Sequence, residues 1–345
     1  MPLTAHTLYV QTDGAVVRLD HDNVLVTLDK QVQTRVPLHL VHAIVAFGRV
    51  SFTSPLLERC ARDGRSVVKM DGAGRFVYRL EGPKSGNVLL RTAQFQAFHD
   101  PARQLSIARA LVAGKLYNQR QVLLRAARDA STPSAANALR EVAEEMARDL
   151  RRICHMDNLD TLRGLEGVNA RRYFAVFQHM LAPQVQQDFA FAHRSRRPPR
   201  DPVNGVLSFL YAVLTHDAAA AAESVGLDPQ IGFLHTLRPG RPALALDLME
   251  EMRPVLADRV ALTLFNRRQL TPDDFETLPG GAVSLTDAAR RTILAEYQRR
   301  KQTEVEHPTL RTRLALGLVL PLQARLMARA IRGDAVPYMP FLYRG

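Results

Sequence analysis

The chain reads as an α+β protein, with a small β-rich N-terminal domain followed by a larger all-α domain. Three observations predict this. Over the first eighty or so residues, apolar side chains come in short β-branched runs separated by turn residues, as half-buried strands require. The stretch Gly82-Pro83-Lys84-Ser85-Gly86-Asn87 then offers almost nothing to bury. From Val88 onward the apolar period lengthens from two to about 3.6 and stays there. These changes place a β-rich domain over 1–82, a linker over 83–90 and a helical domain over 91–345.

Within the first domain, strands are predicted at Leu8 to Val10, Val16 to Leu19 and Val24 to Leu28, with Asp13-Gly14 and Asp22-Asn23 turning the chain between them. Further strands follow at Gln33 to Pro37, His42 to Phe47, Ser66 to Met70 and Phe76 to Leu80. One helix, Ser54 to Asp63, interrupts them; Pro55 lies in its first turn and Gly64 stops it. Asp71-Gly72-Ala73-Gly74 reads as a hairpin turn. It is not a phosphate-binding loop, because no helix follows it.

Beyond the linker, helices are predicted at Val88 to Phe98, Pro101 to Arg128, Ala135 to Leu150, Asn158 to Leu181 and Pro202 to Thr215. Others follow at Ala218 to Val225, Pro242 to Leu264, Thr271 to Phe275, Thr286 to Lys301 and Thr309 to Ile331. No internal repeat is visible.

Size and charge narrow the function. A chain of 345 residues with 46% hydrophobic content can bury a sizeable core. The formal net charge is +12, mostly from an arginine excess, and guanidinium groups favour bidentate phosphate contacts. Nucleic acid is therefore the first partner to consider, against the plainer reading of an arginine-rich genome. Cys60 and Cys154 are far apart, which argues against a disulfide framework or a zinc finger and for two buried free thiols. The start has no signal-peptide pattern, and the apolar run Leu314 to Leu322 is half a membrane span. The expectation is a cytoplasmic protein with no membrane partner.

The segment His235 to Glu250 carries the most chemical information. It sets an imidazole ahead of a helix bearing Asp247 and Glu250, three residues apart and so on one face. An aspartate among alanines and leucines is costly to bury unless it is paired or metal-bound. Asp247 could instead pair with Arg241 or Arg253. Upstream, Glu166 lies early in a helix between Gly164 and Gly167, each costing about 1 kcal/mol against alanine. Close approach of another backbone or a substrate strand would explain them; an idle glutamate at a helix start is the alternative. Two glutamates and an imidazole would suit Mg2+ or Mn2+. Such an ion, held by Glu166, His235 and Glu250, would serve phosphoryl transfer without a protein nucleophile. No Ser-His-Asp arrangement and no GxxxxGK[ST] loop is present.

Basic segments surround these residues. Arg196, Arg197 and Arg200 precede the helix that starts at Asp201, Arg238 and Arg241 follow His235, and Arg171 lies beyond Glu166. They are the candidate DNA contacts; Arg267-Arg268, Arg290-Arg291 and Arg299-Arg300-Lys301 add basic charge later. Gly114-Lys115-Leu116-Tyr117-Asn118-Gln119-Arg120 places polar donors mid-helix, where a polar network or a DNA contact would account for them.

Taken in order, LRGLEGVNARRYF, RRPPRDPVNGVLSFLYAVL and GFLHTLRPGRPALALDLMEEMRPVLADR resemble the CRISPR-associated integrase-endonuclease family that acquires spacers. GKLYNQR is similar to that family's polar helix motif. The resemblance covers the whole chain. It implies a glutamate, a histidine and a third acidic residue as metal ligands and catalytic residues. These match Glu166, His235 and Glu250, where the third place is often aspartate. Asp247 matches an acidic position near the site, in an outer layer or as an alternative ligand. Asn204 and Lys115 match positions beside the active region. The resemblance further implies an antiviral adaptation enzyme whose 91–345 domain is catalytic and whose N-terminal domain forms a homodimer. Such dimers flank a small ferredoxin-like CRISPR adaptation partner protein. The assembly joins the 3′-hydroxyls of a short DNA duplex to the CRISPR repeat by transesterification. Two alternatives stand beside this: a non-catalytic basic DNA-binding scaffold, and a general repair nuclease acting on branched DNA.

Overall fold

Alternating burial builds the N-terminal unit, Met1–Ser85, from two four-stranded sheets. The computed structural model describes residues 6–72, 74, 76–82, 88–334 and 337–344. The strands are β1 (His6–Val10), β2 (Val16–Asp20), β3 (Asn23–Leu28), β4 (Gln31–Pro37), β5 (Val41–Phe47), β6 (Ser51–Phe52), β7 (Ser66–Met70) and β8 (Phe76–Arg79). One sheet runs β4-β3-β2-β6, an antiparallel meander with β6 added parallel to β2. The other runs β1-β5-β7-β8, parallel except for β8. Parallel strands need a crossover, and α1 (Ser54–Arg62) lies between β5 and β7, burying Leu56 and Cys60. Val17, Val24, Ile44 and Val67 complete this core. The edge strands β4 and β8 expose Val32, Phe76, Val77 and Tyr78.

The second unit, Gly86–Gly345, is mostly helical. Its elements are α2 (Val88–His99), α3 (Pro101–Asp129), α4 (Pro133–Ile153), α5 (Leu159–Ala175), α6 (Pro183–Asp188), α7 (Pro202–Ser224), α8 (Ala243–Met249) and α9 (Arg259–Asn266). Then come β9 (Phe275–Leu278), β10 (Ala282–Leu285), α10 (Asp287–Lys301), β11 (Glu304–His307), β12 (Thr312–Ala315) and α11 (Val319–Arg332). Side-chain caps fix several helix starts. Asp100, Thr132, Asn158, Asp201 and Thr286 each accept a backbone N–H from the first turn that follows. The long α3 packs against α4 and α5, and α7 packs against α8 and α11.

The predicted α+β class holds, and within it several elements differ from expectation. Residues 83–87, the first part of the expected linker, lie outside the described residues, as does Ala73 of the expected hairpin turn. Residues 88–90 already belong to α2. The two helices expected at Pro202 to Thr215 and Ala218 to Val225 are one helix, because no glycine or proline lies at the junction between Thr215 and Ala218. Conversely, the helix expected over Asn158 to Leu181 ends at Ala175 and passes into a 3-10 turn. The helix expected at Thr271 to Phe275 is a 3-10 turn, Pro272–Asp274, that leads into the antiparallel hairpin β9–β10, and the hairpin β11–β12 replaces the first part of the helix expected from Thr309. Their short, largely exposed strands carry little apolar alternation. By length and composition α7 could cross a membrane; 61% of its most apolar window is buried inside the protein, as befits a core helix. Of the two free thiols expected to be buried, Cys60 is and Cys154 is exposed.

The helix expected over Pro242 to Leu264 is broken. Pro254 has no N–H to give the carbonyl of Glu250, so α-helical bonding cannot run through that point. Glu250 to Met252 form a turn, and Arg253–Asp258 form a π-helical segment before α9. The break frees the carbonyl of Glu251, which accepts from Asn118 Nδ2 at 2.8 Å. The side chain of Glu251 is buried too. It accepts from Gln323 Nε2 (3.0 Å), Tyr338 OH (2.5 Å) and the backbone N–H of Phe341 (2.6 Å). Asn118 also donates to the Phe341 carbonyl (2.9 Å) and accepts from the Tyr343 N–H (2.7 Å). The polar stretch of α3 is thus partly a network that fastens the C-terminal segment. A Cβ on Gly114 would stand 2.6 Å from Pro340 Cβ, so glycine is needed where that segment crosses α3.

Candidate functional site

Three helical elements of the second unit bring the candidate residues together. Lys115 comes from α3, Glu166 from α5, and Glu250 from the turn after α8. The ammonium of Lys115 hydrogen-bonds Glu166 Oε1 and stands 2.6 Å from Glu250 Oε2. Two carboxylates distant in sequence therefore share one cation. Glu250 Oε2 is buried, and the Lys115 ammonium is its charge partner. The other oxygen, Oε1, pairs with Arg253 at 3.1 Å. Burial alone would raise the acid of Glu250, but Arg253, Lys115 and His235 outweigh it and hold it at about 2. Glu250 is thus a carboxylate at any working pH.

His235 completes the group from the loop before α8. Its Nε2 lies 3.7 Å from Glu250 Oε1, and its Nδ1 lies 2.7 Å from Asp247 Oδ1. A carboxylate only accepts, so a neutral ring keeps its proton on Nδ1 and turns the Nε2 lone pair toward Glu250. Asp247 does more than orient the ring. It accepts the backbone N–H groups of Phe233 (2.5 Å), Leu234 (3.0 Å) and His235 (3.0 Å). The expectation that it pairs with Arg241 or Arg253 is therefore replaced: its fully buried carboxylate is spent on the His235 loop. Gly232 lets that loop press on α8, since a Cβ there would stand 2.6 Å from both Asp247 Oδ2 and the Ala243 carbonyl carbon.

Other expected positions fall nearby or apart. Asn204 is buried at the start of α7, where it binds His193 O, Asp201, Arg194 and the Ser195 N–H. It reaches the site only indirectly: Arg194 and Arg253 lie over the Tyr211 ring at 5.3 and 4.8 Å from its centroid. Gly164 and Gly167 meet nothing that a Cβ would touch within 4 Å, so no protein backbone presses on them and the surface flanking Glu166 is open. Arg171, Arg196, Arg197, Arg200 and Arg238 are exposed, and Arg200 donates to the Gly280 carbonyl at 2.8 Å. Arg241 is half-buried. Its pKa is lowered by burial first and then by repulsion from Arg238, with Arg197 and Arg163 adding to it. Arg197 and Arg238 thus repel Arg241 while Asp247 attracts it, and Arg163 pairs with Asp160 at 2.9 Å. In contrast, Arg268, Arg290, Arg299 and Lys301 pair with Asp188, Asp287, Glu296 and Asp217. Sequence reading missed Arg253 as a partner of Glu250, although its i,i+3 spacing is a signal for such a pair.

Asp258, one turn beyond, accepts from Tyr211 OH (2.6 Å) and Tyr173 OH (3.0 Å). Burial outweighs these bonds and the nearby arginines, pushing its acid up from 3.8 to about 6. The fold holds this proton over a range where the unfolded chain has released it. That contribution is complete below pH 3.8 and is lost as pH rises through about 6. Asp258→Asn is expected to flatten the pH dependence of thermal unfolding between pH 4 and 6, by up to about 3 kcal/mol. Parallel melting curves for the two proteins across that range would reject this.

Among the described residues, no group of three or more His, Cys, Asp and Glu side chains stands ready to hold a metal ion. The expected triad is not preassembled, because the Lys115 ammonium is drawn in between its two glutamates. The donor set nonetheless fits a hard divalent ion: two carboxylates whose oxygens already converge on one cation, beside an imidazole of fixed tautomer.

Residues 8–299 match the family described as CRISPR associated protein Cas1. The chain is 51% identical over 344 residues to the CRISPR-associated endonuclease Cas1 1 of Moorella thermoacetica, covering all of both chains. It is similar in fold to a casposase bound to integration product, with a TM-score of 0.81 at 20% identity over 97% of this chain and 93% of that one. A chain of a partial Cas6-RT-Cas1–Cas2 complex matches with a TM-score of 0.67 at 25% identity, covering 98% of this chain and 99% of that one.

Proposed function

Because the chain belongs to the Cas1 family of CRISPR-associated proteins, we propose that it is a metal-dependent nuclease and integrase of CRISPR adaptation that joins 3′-hydroxyl ends of short duplex DNA to the repeat by transesterification. One observation carries the reading: Glu166 and Glu250, from separate elements, converge on a single cation beside His235. Glu166, His235 and Glu250 would hold Mg2+ or Mn2+. When bound, that ion supplies Lewis-acid stabilisation of the phosphorus transition state and lowers the pKa of the attacking hydroxyl.

The chain's own residues do the rest. Asp247 holds the imidazole in one tautomer, leaving Nε2 free to bind or to take a proton. Arg253 keeps Glu250 charged and fixed from the side away from Lys115. The open surface at Gly164 and Gly167 gives a DNA backbone room to approach Glu166.

Duplex DNA is the proposed substrate, and the mutually repelling Arg197, Arg238 and Arg241 are its phosphate contacts. Arg238→Ala is expected to weaken duplex binding and to reduce the slope of log affinity against log salt by about 1. A binding titration at three salt concentrations tests this; an unchanged slope removes Arg238 from the interface.

Two copies pair through the N-terminal unit in this proposal, whose edge strands expose Val32, Phe76, Val77 and Tyr78. The small ferredoxin-like adaptation protein is the proposed partner, in line with the Cas1–Cas2 complex among the structural relatives. The assembly would act in the cytoplasm. Joining of a labelled duplex to a repeat-bearing plasmid, with and without Mn2+, tests the whole reading. Salt-sensitive binding with no joining or cleavage under any divalent ion would favour the scaffold alternative.

A further inference from the structure

Lys115 is an unusual neighbour for a metal site. Its side chain is 5% exposed, and its ammonium meets both glutamates that would be ligands. Three carboxylates, Glu166, Glu250 and the neighbouring Asp247, face Lys115 and Arg253. A divalent ion added with Lys115 in place would leave this buried region with a net positive charge. Coulomb repulsion between the two cations, little screened by solvent, disfavours both at once between these oxygens. The ammonium also lies between the oxygens that the ion would need.

We propose that Lys115 is an exchangeable internal counter-ion, occupying the cation seat between Glu166 and Glu250 until a divalent ion displaces it toward an incoming DNA phosphate. This inference rests on the metal-dependent reading above and adds to it a device that couples ion loading to substrate. The exit is defined by the surroundings. Glu250 is 2% exposed and Glu166 is 25% exposed, so the ammonium leaves on the Glu166 side, past the open surface at Gly164 and Gly167. There it is presented where a phosphate would sit. By linkage, DNA that captures the displaced ammonium must tighten metal binding, and metal must tighten DNA binding by the same factor. The free protein stays folded without metal because its two glutamates are never left unpaired.

The test is Mn2+ binding, read by electron paramagnetic resonance on the full chain without DNA, for wild type, Lys115→Met and Glu166→Gln. Lys115→Met is expected to bind Mn2+ at least about tenfold more tightly than wild type, since a buried competitor is gone. Glu166→Gln is expected to bind it more weakly than wild type. Added duplex should tighten Mn2+ binding to wild type and do so less in Lys115→Met. Equal or weaker binding by Lys115→Met, with Glu166→Gln still impaired, overturns the counter-ion role and leaves the metal site standing. Mn2+ binding that is indifferent to both substitutions overturns both.

A second measurement needs no variant. The chain has only five lysines, so acylation footprinting by mass spectrometry resolves Lys115 individually. It should be protected in the free protein and become reactive on Mn2+ saturation; continued protection at saturating Mn2+ also refutes displacement.

Discussion

Glu166→Gln is expected to reduce metal-dependent joining and cleavage by more than about 100-fold, beyond the 10- to 100-fold that loss of an outer-sphere partner of a metal ligand costs. The variant keeps the size and shape of the side chain and removes its charge. Glu166 is the cleanest of the three proposed ligands to change, because it is partly exposed and pairs only with Lys115. Lys115 keeps Glu250, so the buried charge is not orphaned and the melting temperature should move by only a few degrees. Glu250 behaves differently. Removing its carboxylate leaves Lys115 and Arg253 competing for too few acceptors in a buried place, a loss of about 3–5 kcal/mol. A dead Glu250→Ala protein would therefore mix lost chemistry with lost stability. The measurement is the initial rate of duplex joining at saturating Mn2+, beside a melting curve. A rate within threefold of wild type for Glu166→Gln would remove that residue from the reaction.

Asp247→Asn is expected to be nearly as damaging, for a different reason. Four donors face this one carboxylate: three backbone N–H groups and the Nδ1 of His235. An amide cannot satisfy them, since one of its two ends is itself a donor. Either a buried backbone N–H is stranded, at about 1–3 kcal/mol, or the imidazole turns over and offers a proton where a lone pair is needed. The joining rate should fall by on the order of 10- to 100-fold. The tautomer change gives a separate signature, readable by 15N NMR of the ring. Unchanged ring shifts together with an unchanged rate would show that Asp247 merely packs.

Much of this was legible in the amino-acid order. The change of period near Gly82, the proline-capped helix starts and the spacing of Asp247 and Glu250 all depend on local physics that a sequence displays. The helical break at Glu250 was less visible, because a proline at 254 reads as tolerable in a long apolar run until its missing N–H is traced back four residues. The hairpins at Phe275–Leu285 and Glu304–Ala315 escaped because their strands are four residues each and bury little, so no alternation marks them. Lys115 was singled out by the resemblance, but its partners lay hidden for a deeper reason. Its role is set by which carboxylates fold back against α3 from 51 and about 135 residues away, and side-chain convergence of that kind has no periodicity. The flanking glycines of Glu166 showed the converse, since among the described residues nothing packs within 4 Å of where a Cβ would stand on either.

The paired glutamates at 250 and 251 point into different neighbourhoods because the helix stops beneath them. One faces the proposed metal site; the other grips Tyr338 and Phe341. The stretch around Tyr338 and Phe341 is thus one peptide bond removed, through Glu251, from a proposed ligand. Slack introduced in that stretch would be passed on to Glu250, whereas a change on an exposed turn such as Gly280-Gly281 would not be.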